Sequence, residues 1–210
     1  MDKPIGETTS PARQSARARL LDAAGELFYE EGVHSVGIDK VIERAGVAKA
    51  SLYGNFKGKD DLVRAYLDGR HEARRAAIEA KLGLYQTPRE KLLAVFDTMA
   101  EAIAKPNYRG CAFMRASAEM PAEASGRQVC RDARRWTREL FAGLAKQAGA
   151  ANPDALVSQL LLLYDGAAAS AQLDRDPNAA TAAKAAAALV IDAACAKRAL
   201  APVKRRSAKR

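Results

Sequence analysis

Cysteine is scarce in this sequence and shows none of the spacings that bind metals or form disulfide frameworks. The three cysteines, Cys111, Cys130 and Cys195, are widely separated and odd in number. Zinc sites usually carry Cys-x-x-Cys pairs or Cys/His clusters, and small secreted domains carry paired cysteines. We therefore expect reduced thiols in a cytoplasmic protein, with no metal site. Beside Arg109 and Arg115, Cys111 has two interpretations, a redox-sensing thiol or a small apolar filler of a helix.

Long hydrophobic runs and catalytic motifs are also missing. The most apolar window, Ala155 to Leu173, is interrupted by Ser, Gln, Asp and Gly residues, and no N-terminal stretch has the pattern of a signal peptide. None of the strings GxSxG, GxxxxGK[ST], HExxH and GxGxxG occurs, and His34 and His71 are isolated in the sequence. We predict that the protein is not an enzyme, needs no cofactor and does not enter a membrane.

Acidic residues are absent from the last part of the chain, residues 197–210, which carries seven Lys and Arg residues. Subtracting these seven charges from the net charge of +9 leaves about +2 for the rest of the protein. We expect a disordered basic tail over residues 200–210. The net charge is therefore no argument for nucleic-acid binding, and only a local pattern can make that case.

Aromatic residues make up only 6% of the chain, while alanine is abundant, which favours helices over strands. Apolar periodicity, prolines near helix starts and glycines after helix ends predict an all-α fold of about nine helices. Residues 1–12 are rich in Pro, Gly, Ser and Thr and are expected to form a flexible leader. The predicted helices run from about Arg13 to Glu31, Ile38 to Ala45, Lys49 to Phe56, Lys59 to Lys81, Pro88 to Pro106, Gly110 to Glu119, Ala122 to Ala148, Pro153 onward, and Pro177 to near Arg198.

Two short helices around Gly46 form the pattern that carries the function. The segment Val36–Asp61 reads VGIDKVIERAGVAKASLYGNFKGKDD. Gly46 permits the positive φ that a tight turn requires, and apolar residues on both sides of it can pack the two helices together. The second helix is short and polar outside, with Lys49, Tyr53 and Asn55 facing outward, so it fits a DNA major groove. This pattern predicts a helix-turn-helix.

The same stretch resembles the TetR-type transcriptional regulators. The similarity is strong over about residues 13–75, through the string AGVAKASLYGNFKGKDDL with its turn, its Leu-Tyr pair and the acidic start of a long helix. The resemblance implies a three-helix DNA-binding head over residues 13–60, with the helix-turn-helix at 37–56, and double-stranded DNA as a partner. It implies base or phosphate contacts in the recognition helix, a backbone contact by its tyrosine, a phosphate contact at the start of the fourth helix, and leader arginines near phosphate. The DNA-binding candidates are Arg17, Gly37, Ala48, Lys49, Ala50, Ser51, Tyr53, Asn55 and Lys59.

Five positions depart from the family pattern. Gly37 and Ala48 replace frequent hydroxyl residues at helix starts, and Ile42 replaces a small alanine. Gly54 and Asn55 stand where an aromatic residue and a histidine are common. These departures bear on which bases the recognition helix would contact, and not on the prediction of DNA binding itself. Three alternatives remain at this point: a helical hairpin with a purely structural role, a protein-binding adaptor whose head does not bind DNA, and an enzyme of unknown type.

Residues 61–199 are expected to form a larger helical domain that binds an effector and dimerises. The strings RGCAFMRASAEM and DALVSQLLLLYDGAA give a looser resemblance to one branch of the same family. Core packing is the default role of the large side chains here, but the resemblance implies that some line a pocket for an unknown small molecule. The candidate pocket residues are Phe96, Met99, Phe113, Met114, Trp136, Leu140 and Tyr164.

The last two long helices are apolar on nearly every face. Such helices must be covered on all sides, which predicts an intersubunit four-helix bundle in a homodimer, a buried hairpin in a monomer being the alternative. The predicted interface residues are Leu156, Leu160, Leu163, Ala167, Leu189 and Ala193. Asp165 needs a polar partner, at the dimer seam or in the ligand site. With the resemblance, this organisation predicts a ligand-responsive repressor that binds a palindromic operator as a dimer.

Overall fold

The computed structural model describes residues 14–196, and in that range the chain forms nine helices and no strand, which confirms the predicted all-α fold. The predicted leader and basic tail lie outside the described residues, as do Arg13 and Arg198. The helices are α1 (Ala16–Glu31), α2 (Ile38–Ala45), α3 (Lys49–Asn55), α4 (Lys59–Leu82), α5 (Pro88–Ile103), α6 (Ala112–Glu119), α7 (Gly126–Gln147), α8 (Pro153–Leu173) and α9 (Ala179–Cys195).

Local capping explains where several of these helices begin. At the start of α1 the Ser15 hydroxyl accepts a hydrogen bond from the Ala18 N–H at 3.2 Å. Thr87 and Glu90 form a reciprocal capping box at the start of α5, with Pro88 as its first residue. Short-range sequence signals therefore set these boundaries.

Two predicted boundaries are wrong, because contacts outside the helix decide them. Pro177 is not in the first turn of the last helix, because α9 begins at Ala179. Just before this helix the Asp176 carboxylate accepts a hydrogen bond from the Asn178 N–H at 2.8 Å. Helix α7 does not begin at Ala122 but at Gly126. The residues before it form a turn, and the Asp60 carboxylate accepts the N–H of Ser125 at 3.2 Å.

The described residues pack into two compact units. Unit 1 contains residues 14–71 and Ala112–Arg131, and unit 2 contains Glu72–Cys111 and residues 132–196. Helices α4 and α7 contribute to both. Packing therefore groups α6 with the N-terminal helices, since its buried side chains Phe113 and Ala116 belong to unit 1. The predicted boundary at residue 60 separates a DNA-binding head from an effector-binding domain by their functions, and it stays a prediction.

An apolar cluster holds unit 2 together. Phe96, Phe141 and Tyr164 pack against one another with ring centroids 5.9–6.1 Å apart, and Tyr164 meets the other two rings edge-on. The carboxylate of Asp97 on α5 receives hydrogen bonds of 2.6 and 2.8 Å from the Lys184 ammonium of α9. The core of unit 2 thus includes side chains from α5, α7, α8 and α9. Within residues 14–196, no helix has the length and apolarity needed to span a membrane.

Candidate nucleic-acid interface

The turn between α2 and α3 has helix-turn-helix geometry. Gly46 ends α2 with φ +60°, a left-handed conformation that favours glycine, and its N–H bonds back to the Glu43 carbonyl at 3.1 Å. Val41, Leu52 and Phe56 are buried with 0%, 0% and 3% exposure, so they pack the two helices into unit 1. The expected apolar contacts around the turn are therefore present.

Helix α3 presents a polar outer face. Lys49, Ala50, Tyr53 and Asn55 are exposed, with 55% of Tyr53 accessible, while Ser51 is half-buried. The Asn55 amide donates to the Ser51 carbonyl at 2.7 Å, which orients its side chain along the helix. The predicted recognition surface is thus open to solvent.

Lys49 is paired in the free protein. Its ammonium lies 2.9 Å from the Asp39 carboxylate, at the start of α2, and this hydrogen bond raises the pKa of Lys49. Both side chains are more than half exposed, so the pair is weak and can be exchanged for a phosphate. The ion pair therefore does not prevent Lys49 from contacting DNA.

The starts of α2 and α3 are open. Gly37 and Ala48 are the N-cap residues, both exposed and in extended conformation, and neither supplies a side-chain cap. The first N–H groups of each helix therefore remain available to a phosphate or to water. Because Gly37 and Ala48 replace the hydroxyl residues common in the family, each helix start lacks a side-chain hydroxyl donor, but its backbone N–H donors are accessible.

Lys59, the first residue of α4, turns toward the loop that precedes α2. Its ammonium donates to the His34 carbonyl at 3.0 Å. Burial lowers the pKa of Lys59, and the nearby Glu119 carboxylate partly offsets this effect. Arg17 is exposed, with its guanidinium 5.3 Å from the centroid of Phe56, the residue that follows α3. Both cations therefore lie in the same unit as the recognition helix.

Comparison with known proteins identifies this arrangement. Residues 20–66 match the family described as bacterial regulatory proteins, tetR family. A solved TetR-family transcriptional regulator from Streptomyces coelicolor aligns with a TM-score of 0.81 and 36% identity, over 86% of this chain and 90% of that one. The chain belongs to the TetR family of transcriptional regulators. The helix-turn-helix prediction is thereby confirmed.

Curated transcriptional regulators match this chain over less than half of its length. The regulator TtgR of Pseudomonas putida is 33% identical over 43% of this chain and 46% of its own length. The transcriptional activator FasR of Mycolicibacterium smegmatis is 32% identical over 43% of this chain and 42% of its own. The match to each of these two relatives therefore spans less than half of the relative's own length.

The predicted pocket residues fall into both units. Phe96, Met99, Trp136, Leu140 and Tyr164 belong to or pack on the core cluster of unit 2. Phe113 and Met114 do not share this cluster: they lie on α6 in unit 1, where Phe113 meets His71 edge-on at 6.2 Å and Met114 is 49% exposed. That these seven residues line one pocket stays a prediction, and the packing places five of them in unit 2 and two in unit 1.

The predicted dimer residues divide between the core and the surface of unit 2. Leu156, Leu160 and Ala167 are buried in the core of their own subunit, so they cannot supply an intersubunit surface in this fold, and Leu163 is half-buried. Ala193 and Leu189 are exposed, Leu189 at 73%. Leu162 and Leu173 of α8 are not among the predicted residues, and they are 73% and 78% exposed. Asp165 does find a polar partner, Arg134, at 2.6 Å.

The exposed residues of α8 and α9 are regularly spaced along the sequence, and this spacing is visible without a structure. Residues 155, 159, 162, 166, 169 and 173 follow one another at intervals of four and three, and all but Ala169 are exposed, Ala169 being half-buried. On α9, residues 182, 186, 189 and 193 repeat the same intervals. Such intervals mark one face of a helix, and every residue of the two rows except Gln159 is leucine, alanine or glycine, a composition that favours packing against another helix. We call the two rows the outer stripes.

Proposed function

We propose that this TetR-family protein is a ligand-responsive repressor that acts in the cytoplasm and binds a near-palindromic operator as a homodimer. The observation that carries the proposal is the exposed polar face of α3 on a helix-turn-helix whose apolar side is buried. Such a helix fits a major groove about 12 Å wide. Lys49, Tyr53 and Asn55 are the side chains with which it would reach base edges and phosphates.

A second subunit would cover the outer stripes. Leu162, Leu173 and Leu189 are each more than 70% exposed in the isolated subunit, and leucines spaced this way on two adjacent helices are costly to leave in water. Packing them against the same stripes of a second copy gives a four-helix bundle with two-fold symmetry. The two α3 helices of that dimer would then enter successive major grooves, roughly 34–36 Å apart.

A small molecule would act on this dimer through unit 2. Phe96, Met99, Trp136, Leu140 and Tyr164 supply the apolar and aromatic surface that such ligands prefer. A ligand that binds one conformer more tightly shifts the population toward it. If that conformer holds the two heads at the wrong separation, operator affinity falls by the same coupling free energy.

The experiment that tests the proposal is binding to a duplex enriched by the wild-type protein from a random-sequence pool, followed over a range of salt concentrations. Several phosphate contacts predict a log K that falls linearly with log salt, with a slope of about −0.9 per phosphate neutralised. Lys49→Ala should weaken binding, whereas Lys105→Ala, which removes an exposed lysine of unit 2, should not. Failure to enrich any duplex, or binding that salt does not affect, would support the protein-binding adaptor instead.

A further inference from the structure

The end of α6 touches the loop between α1 and α2 through a carboxylate. Glu119, the last residue of α6, accepts a hydrogen bond from the backbone N–H of His34 at 3.0 Å. The same carboxylate lies against Gly32, where an added Cβ would be 2.7 Å from the nearer oxygen. Gly32 has φ +97°, which also favours glycine. The loop and Glu119 are therefore fitted to each other.

The carbonyl of His34 is held as well. It accepts a hydrogen bond from the Lys59 ammonium at 3.0 Å. Both backbone polar groups of His34 are therefore bonded to charged side chains, the N–H to Glu119 and the C=O to Lys59. An ammonium has three donors, and one bond to His34 leaves two for other acceptors. Lys59 is thus oriented by the loop without losing its capacity to bind a phosphate.

A second charged residue of α6 reaches the same region. Arg115, one turn before Glu119, donates to the Tyr29 carbonyl at 2.5 Å and lies 5.8 Å from the centroid of the Tyr29 ring. A cation is favourable at the carbonyl end of a helix, which is where Tyr29 lies in α1. Arg115 therefore anchors α6 on α1, and Glu119 extends that anchor to the loop.

Water can reach this contact from one side. His34, Lys59 and Glu119 line an open cleft of about 260 Å³ whose remaining walls are mostly apolar. Removing the carboxylate would leave the N–H of His34 to water, and the loop would lose a fixed partner. Gly37, the N-cap of α2, follows His34 by three residues. Increased motion of the loop would therefore also affect the position of the helix-turn-helix.

We propose that Glu119 is a positioning residue for operator binding. Its carboxylate fixes the His34 backbone, and the His34 carbonyl in turn holds Lys59 ready for a DNA phosphate. Glu119 acts through His34 and does not contact DNA itself. This inference rests on the DNA binding proposed above, and it assigns a role in that binding to a residue outside residues 20–66, the range over which the family description matches.

The test compares four variants with the wild-type protein on the enriched duplex. Glu119→Ala removes the acceptor, Glu119→Asp keeps the charge but shortens the reach, and Glu119→Gln keeps an oxygen at the same reach. Glu123→Ala is the matched control, since it removes an exposed carboxylate of the same unit. We expect affinity to fall about tenfold for Ala and Asp, and to stay within about threefold for Gln and for the control.

Two further readouts separate positioning from other roles. The salt slope should equal that of the wild-type protein in all four variants, because no phosphate contact is removed. In the free protein, exchange of the His34 amide hydrogen should accelerate about tenfold in the Ala and Asp variants and not in Gln. If Glu119→Ala fails to fold, the Asp and Gln variants carry the same comparison.

The outcomes are distinct. Wild-type affinity in Glu119→Ala and Glu119→Asp, or an equal loss in Ala and Gln that Asp does not share, would overturn the proposal. The second result would mean that charge and not the held backbone matters. If the wild-type protein binds no duplex, the proposed function fails, and amide exchange still decides whether Glu119 fixes His34.

Discussion

Replacing Leu162 and Leu189 together by glutamate should convert the proposed dimer to folded monomers. Each leucine is 73% exposed in the isolated subunit, and burying a leucine side chain completely is worth about 1.5–3 kcal/mol. If the partner covers the exposed part, each contributes about 1–2 kcal/mol, and the four leucines of a dimer contribute about 4–8 kcal/mol. The lower value corresponds to roughly a thousandfold rise in the dimer dissociation constant.

Sedimentation velocity over a range of protein concentrations measures this change, and thermal unfolding by circular dichroism checks that the subunit still folds. Leu84→Glu is the matched control, because Leu84 is 72% exposed but lies outside the outer stripes. Leu160→Ala is a second comparison: since Leu160 is buried in the subunit core, it should destabilise the fold by about 2–5 kcal/mol. A double glutamate variant that stays dimeric at wild-type concentrations would refute the assignment of the interface to these stripes.

Three more expectations address the head and the pocket. Lys59→Ala should weaken binding to all duplexes and reduce the magnitude of the salt slope by about one unit, unlike the Glu119 variants; an unchanged slope removes Lys59 from the phosphate contacts. Gly46→Ala should lower the free energy of unfolding by about 1–2 kcal/mol in urea titrations, because φ is +60° there; equal stability would contradict the left-handed turn. An effector that binds beside Trp136 should change the tryptophan fluorescence in proportion to its release of operator. The sequence has only one Trp, so a ligand that releases DNA without a fluorescence change binds elsewhere.

The helix-turn-helix could be predicted from the sequence because all its determinants are local. Gly46, the apolar residues around it and the short polar helix after it lie within about twenty residues, and each acts on its immediate neighbours. The ends of α2 were predictable for the same reason, and the structure places them at Ile38 and Ala45 as expected. The match to the TetR family covers this same part of the chain.

The buried and exposed faces of the C-terminal helices were harder to predict, because two faces of one helix carry similar signals. Along α8, apolar residues occupy the core side, with Leu156 and Leu160, and also the outer side, with Leu162 and Leu173. Periodicity indicates that α8 is covered on several sides, but it does not indicate which row meets the subunit's own core. For the same reason the sequence did not indicate that Phe113 of α6 packs in unit 1.

The sequence by itself determined which segments are helical, where most of them begin and end, and which short helix presents a polar face, since caps, turns and periodicity act over a few residues. Only the tertiary structure decided which row of α8 is inside, that α6 packs with the N-terminal helices, and that Glu119 holds His34. The last pair is separated by 85 positions along the chain. Contacts of that span depend on how whole helices pack, and no local pattern encodes them.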